Sequence, residues 1–400
     1  MRVYNALFAA TSIITLLCIP LISKAEDIRL GFTGPLSGPS ALLGHQLVNG
    51  IELGLKRLNT NKELPFTVSL IAKDDGYEPS RTVPIIEKMV EDDNIVGLIS
   101  SVGTPTIVAA IPTLVELQLP LISPFTGSSM LRSRGVSSLI FTHRASYQKE
   151  VASLAKVVAK EFNIAPSDIA IFAQKDSYGE ITVRSLIKAL ESYGLEHSSD
   201  ILRVGYTRNN PSTEEAAAKI LTHTPQPKVI FLISTYPAAA DLITSLDENG
   251  VSPLYAALSF VSHDALNTRI KHTEAKILST QLHPCHNDVS DPLIKDFLAD
   301  FEQYGNAETP TSATLEGYIA VRQVENVLLH VSPNRAPTRA EFLSYLKQYQ
   351  QLHKDTEKKV VENSSPSQIE LPIWLDLKNH KTGHTYCGDT LPYEFIRGSL

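Results

Sequence analysis

From residue 27 to about residue 258, short apolar runs of strand length alternate with stretches whose apolar residues recur at helical spacing. This alternation is the strongest constraint on the fold. Strands joined through helices lie parallel, and a parallel sheet must be covered on both faces. Residues 27–33 read as a strand with Ile28, Leu30 and Phe32 on one face, and residues 43–58 as a helix through Leu47, Ile51, Leu55 and Leu58. Further strands fall at 66–72, 96–100, 119–123, 168–172, 201–206, 229–233 and around 254–258. Helices fall at 80–92, 104–117, 151–161, 179–193, 213–222 and 238–249, with Pro84 acceptable only near a first turn and Gly194 and Gly250 as stops. The pattern runs twice with a join near 141–147, which predicts an α/β protein of two doubly wound parallel-sheet lobes. After residue 282 the chain reads as mostly helical, over 292–304, 312–331 and 339–349. A polar stretch, 353–368, reads as an exposed loop, and a β-hairpin follows with strands near 373–377 and 385–386.

Charge and cysteine usage narrow the class. The chain carries 36 Lys and Arg against 43 Asp and Glu, a formal charge of -7, which argues against a nucleic-acid binder. Three cysteines in 400 residues exclude a disulfide-built scaffold. At the N-terminus, Arg2 precedes an apolar stretch over 7–21 that Pro20 breaks, and Ser23-Lys24-Ala25 follows with small residues at both critical positions. This is the pattern of a cleavable signal peptide over 1–25, with cleavage before Glu26 and export of the remainder; an uncleaved anchor would want a longer apolar run. Cys18 leaves with the leader. The remaining Cys285 and Cys387 suggest one disulfide in an exported chain, with two buried free thiols as the alternative.

Enzyme signatures are sparse. There is no G-x-S-x-G elbow, phosphate-binding G-x-x-x-x-G-K-[ST] loop, G-x-G-x-x-G fingerprint or H-E-x-x-H pair. His283-Pro284-Cys285-His286 has ligand chemistry suited to zinc, but such crowding around a proline favours a polar loop whose cysteine is held by Cys387. No catalytic residue, metal or cofactor is expected, and an exported enzyme using this cluster is kept as an alternative.

Binding chemistry concentrates in the loops after the strands, where open parallel sheets hold their ligands. In the first lobe these are 34–44, 100–104 and 123–129, rich in Ser, Thr and Gly. The last two lead into helices, whose free N–H groups suit a small anion such as a carboxylate. Thr104 by itself reads as a helix cap. In the second lobe, Tyr178 within Asp176-Ser177-Tyr178-Gly179-Glu180 and Tyr236 before Pro237 stand at equivalent strand-to-helix junctions, placed to offer flat apolar faces to a ligand.

The run Ile28-Arg29-Leu30-Gly31-Phe32-Thr33-Gly34-Pro35-Leu36-Ser37-Gly38 resembles the first strand and loop of the leucine/isoleucine/valine-binding protein family. Asn49-Gly50, Asp74-Asp75, Gly97-Leu98-Ile99-Ser100-Ser101, Leu121-Ile122-Ser123-Pro124 and Asp176-Ser177-Tyr178-Gly179-Glu180 continue the likeness, which weakens beyond about His330. The resemblance implies a type I periplasmic binding protein with three crossovers, closing by a hinge over an amino acid, an amide or a small carboxylate. It implies lobe 1 as 26–143 plus 286–385, and lobe 2 as 144–285 plus 386–400. It places Ser101 and Thr126 on the ligand carboxylate with backbone help from Phe125 and Gly127, Leu43 beside the ligand's side chain, and Tyr178 and Tyr236 over it. It also implies an ABC transporter permease as partner, a monomer, and the periplasm as the compartment. A membrane signalling receptor served by the same closure is the alternative partner. One departure stands out. The family's acidic residue for a ligand ammonium falls at Ser259, which disfavours an ordinary α-amino acid unless Glu316 supplies the charge from another loop. Both cysteines are expected near the hinge, Cys285 at the third crossover.

Overall fold

In the computed structural model, residues 27–210, 212–286, 288–305, 309–361, 373–381 and 385–388 are described, the side chains of 353–361 excepted. The expected signal peptide lies outside them. The first half of the chain runs β1 (Asp27–Gly34), α1 (Ala41–Leu58), β2 (Thr67–Asp74), α2 (Pro79–Glu91), β3 (Gly97–Ile99), α3 (Thr104–Glu116), β4 (Leu121–Ile122) and β5 (Ile140–Phe141). It crosses over and continues with α4 (Tyr147–Lys156), β6 (Ile169–Gln174), α5 (Ser177–Glu191), β7 (Leu202–Tyr206), α6 (Glu214–Thr222), β8 (Val229–Ile233), α7 (Tyr236–Glu248), β9 (Leu254–Ala257), α8 (His263–Arg269) and β10 (Lys276–Gln281). The final part is α9 (Pro292–Tyr304), α10 (Ser312–Val331), α11 (Arg339–Val361), β11 (Trp374–Asn379) and β12 (Thr385–Gly388).

Among the described residues the strands form two sheets. The five-stranded one has the order β2-β1-β3-β4-β5, and the seven-stranded one β12-β11-β10-β9-β8-β6-β7. Every pairing is parallel except those of β11 with β10 and with β12. The strand order reverses between β1 and β3 in one sheet and between β6 and β8 in the other, so a crevice opens at the carboxyl ends at both places. Strands at the sheet centres are apolar throughout because helices cover both faces: Val229-Ile230-Phe231-Leu232-Ile233 is wholly buried.

Several sequence expectations change. The hairpin strand β11 pairs with β10, so 374–379, with Thr385 of β12, belong to the second sheet and not to lobe 1 as expected. The last crossover therefore comes after α11, and Cys285 sits on the second crossing, between β10 and α9. Helix α11 continues to Val361, through the part of the polar stretch read as loop. That segment carries Lys354, Glu357, Lys358 and Lys359, residue types that favour helix without needing an apolar face. Pro84 lies inside α2, whose first turn holds Pro79 instead. The short strand β5 and the strand β10 were not anticipated.

Candidate functional site

The loops after β3 and β4 are built by unusual backbone at the strand ends. Ser100 and Ser123 both take positive φ, 51° and 45°, which turns each chain sharply at the crevice. Gly103 has φ 104°, and a Cβ there would stand 2.2 Å from Cε2 of Tyr77, so only glycine admits that ring. The two loops are laced together. The Phe125 amide donates to Ser101 O at 2.9 Å, and the Gly103 amide to Phe125 O at 3.2 Å. The hydroxyls of Thr104 and Thr126 lie 2.7 Å apart, and Thr126 Oγ1 also accepts from the Ser128 amide at 3.2 Å. Thr104 is therefore not a cap: the N-cap position of α3 is Gly103, and the Thr104 hydroxyl faces Thr126. The loop after β1 is held by Asp74, which accepts from the Leu36 and Ser37 amides at 2.9 and 3.1 Å. Those bonds hold the Asp74 carboxyl at about 2 despite the opposing effect of burial.

The second lobe answers with aromatic rings. Asp176 caps α5 through the Tyr178 amide at 3.0 Å, and this sets Tyr178 at the cleft. The Tyr178 ring lies 4.7 Å from Phe260 and 5.2 Å from Tyr147. Phe260 also packs against Phe125 at 5.7 Å and Tyr77 at 6.3 Å, so one side chain touches rings of both lobes. The Tyr147 amide donates to Gly127 O at 2.9 Å, and a Cβ on Gly127 would meet Cδ1 of that ring at 2.7 Å. Tyr236 reaches across at another point, its hydroxyl donating to Pro39 O at 2.9 Å while Arg269 lies over its ring. Leu43 is buried on α1 within the main hydrophobic core.

A buried charge cluster adjoins the rings. Arg144, on the first crossover, ion-pairs with Glu316 of α10, donates to Ser259 Oγ at 2.6 Å and lies 4.1 Å above the Phe125 ring. Burial would lower its pKa, but Glu316 and Glu150 more than offset this and raise it. Glu150 of α4 is wholly buried. Its Oε2 accepts from the Ser259 amide at 2.9 Å and from the Thr280 hydroxyl at 2.5 Å. Burial raises the Glu150 pKa against the opposing pull of Arg144. His143 is pushed down to about 4 by burial, so it is neutral near pH 7.

The structure thus gathers Ser101, Phe125, Thr126 and Gly127 on one wall, Tyr178 on the other and Ser259 at the charge cluster. Sequence reasoning missed Tyr77, Arg144, Tyr147, Glu150 and Phe260. For Glu150 a signal existed: it shares a helix face with Tyr147, Val151 and Leu154, and a carboxylate on an apolar stripe is unusual. Glu316, suspected of meeting a ligand ammonium, is instead engaged by Arg144.

The lobes meet beyond the cleft as well. Arg208 bridges Glu78 of the first lobe at 2.9 Å and Asp176 of the second at 3.1 Å. Asn209 donates to Glu78 at 2.6 Å, and Gln174 to the Tyr77 hydroxyl at 3.2 Å. His283 Nδ1–H donates to Pro284 O at 2.9 Å, and Cys285 is joined to Cys387 with Cα atoms 6.1 Å apart, so its sulfur is not a thiolate ligand. Among the described residues no three or more His, Cys, Asp or Glu side chains converge as a metal site would require.

Two doubly wound lobes with strand-end loops meeting across one cleft define a two-lobe ligand-binding protein. The family described as periplasmic binding protein matches residues 27–358, and the chain belongs to it. An amino acid binding protein of Pseudomonas aeruginosa is 22% identical over 326 residues, covering 79% of this chain and 82% of that protein. A Leu/Ile/Val-binding protein of Rhizobium johnstonii is 33% identical over 176 residues, 43% of this chain and 45% of that one. The structure of a possible leucine/isoleucine/valine-binding protein from Rhodopirellula baltica superposes with a TM-score of 0.79 at 26% identity, covering 93% of this chain and 98% of that one. Each of these relatives carries the name of a binding protein.

Proposed function

We propose that this chain is an exported periplasmic protein that captures a small carboxylate-bearing solute between its lobes and presents it to an ABC transporter permease. One observation carries the reading. Ser101 and Thr126 stand on interlocked loops at the sheet's crevice, and Phe125 beside Thr126 packs into a cluster of rings contributed by both lobes. Hydroxyls and backbone N–H groups there suit a carboxylate, and the rings suit an apolar body. The amino acid binding named for the Pseudomonas relative supports a ligand of this size. In this reading residues 27–143 with 286–361 move as one body, and 144–285 with 374–388 as the other. Ligand capture shifts the population toward the closed arrangement, which the permease recognises.

Isothermal titration of the mature chain against the L-α-amino acids and short aliphatic and aromatic acids tests it. A hydrogen bond to a charged group contributes about 1.5–3 kcal/mol, so Ser101→Ala and Thr126→Val should each weaken the best ligand about 10- to 100-fold. Variants that bind as tightly as the parent would refute the assignment of the site. Loss of uptake of that ligand on deletion of the gene tests the transport role.

A further inference from the structure

We infer that the groove between helix α5 and the edge strand β7 is a second binding site, for a single-chain amphiphile with an anionic head such as a medium-chain carboxylate. The groove exists because of where the sheet stops. Helix α5 lies against β6, and β7 is the last strand of its sheet among the described residues, so the space beside it under the helix stays open. The groove holds about 440 Å³, within the range that small-molecule sites occupy. It stands apart from the interlobe cleft. The cleft lies at the carboxyl ends of the strands and at Tyr178, in the first turn of α5. The groove is lined by α5 from Val183 to Glu191 and by Ile201, just before β7 begins.

The lining separates into an apolar floor and a charged rim. Ile171 of β6, Val183 and Ile187 of α5, and Ile201 make the floor. Ile171 stands opposite Arg203 in the sheet, so Ile201, two residues before Arg203, shares its face. These aliphatic side chains suit an alkyl body. Arg184 and Lys188 are exposed at the rim, and residues four apart on a helix are neighbours. Among the described residues neither has an ion-pair partner, whereas Arg203, the third cation of the lining, is held by Glu180. The described lining holds one carboxylate, Glu191, so with Glu180 counted the rim keeps one net positive charge. That local excess runs against a chain whose formal charge is -7. A guanidinium and an ammonium one turn apart can share a carboxylate head at the solvent edge, while the alkyl chain covers the floor and the stems of the two cations.

Isothermal titration of the mature chain with hexanoate, octanoate, decanoate and decan-1-ol tests this, each kept below the concentration at which it aggregates. Decanoate is expected to saturate a site that Ser101→Ala and Thr126→Val, in the cleft, leave unchanged. Each added methylene should tighten binding about 2- to 4-fold, because it is buried on the floor. Decan-1-ol, which lacks the charge, should bind about 5-fold or more weakly than decanoate. Arg184→Gln and Lys188→Gln change exposed side chains; each should weaken decanoate about 3- to 5-fold while leaving decan-1-ol within about 2-fold, which a merely structural effect would not do. Decanoate binding that is lost in the cleft variants and kept in Arg184→Gln and Lys188→Gln puts the acid in the cleft; this overturns the inference and leaves the cleft reading standing. A flat chain-length series, equal binding of acid and alcohol, or no saturable binding also overturns it.

Discussion

Asp75 shows how one buried side chain near the cleft carries a pH dependence. Its carboxylate accepts from the Tyr77 amide and the Thr82 hydroxyl, each at 2.8 Å, and so fixes the turn that aims Tyr77 at Phe260. Burial nevertheless pushes its pKa up to about 6 from 3.8, against those hydrogen bonds. The folded state thus holds a proton that the unfolded chain has already lost between about pH 4 and 6, and stability falls as pH rises through that window. Above it the cost is full, on the order of 3 kcal/mol at 1.36 kcal/mol per unit. Asp75→Asn should melt above the parent at pH 8 and coincide with it near pH 4; a pH-independent difference would refute this. At this scale the sequence was partly legible. The Ser, Thr and Gly of the loops announced an anion site through their chemistry. Arg144 and Glu150 did not, because their meeting with Ser259 depends on contacts 115 and 109 residues apart in the chain.

At the scale of elements, α1 and α10 pack through glycines. A Cβ on Gly50 would stand 1.9 Å from Thr314 O, and one on Gly317 would stand 2.3 Å from Leu47 O, so the helix backbones touch. Gly50→Ala should therefore destabilise by about 1–3 kcal/mol through overpacking, despite the better helix propensity of alanine. Urea unfolding checks this, and an unchanged or raised midpoint would refute it. Apolar periodicity placed α9 and α10 to the residue, because each buries a definite stripe. It stopped α11 short, because the helix continues where that stripe ends. Strand β5, two residues long, is defined by its pairing with β4 and has no periodicity to read.

Across the whole molecule, Arg208, Asn209, Gln174 and Tyr236 tie one lobe to the other without belonging to the ring cluster. Such contacts exist only when the lobes are together, so they bias the open–closed equilibrium. Each partly exposed ion pair contributes up to about 1 kcal/mol, so Arg208→Ala should weaken ligand binding about 3- to 10-fold. Small-angle scattering should show contraction on ligand addition in both chains, at higher ligand concentration in the variant. Equal affinities would remove Arg208 from the closure.

Apart from β5, α8 and β10, the order of strands and helices, with the two lobes and the hydroxyl-rich loops, followed from the sequence alone, because periodicity and turn chemistry are local properties. The resemblance in the first strand and loop pointed to the same family. The pairing of the final hairpin with β10 and the cage of rings around Phe260 required the tertiary structure. So did the meeting of Arg144 and Glu150 at Ser259. These depend on segments far apart in the chain coming together, and no local pattern records that meeting.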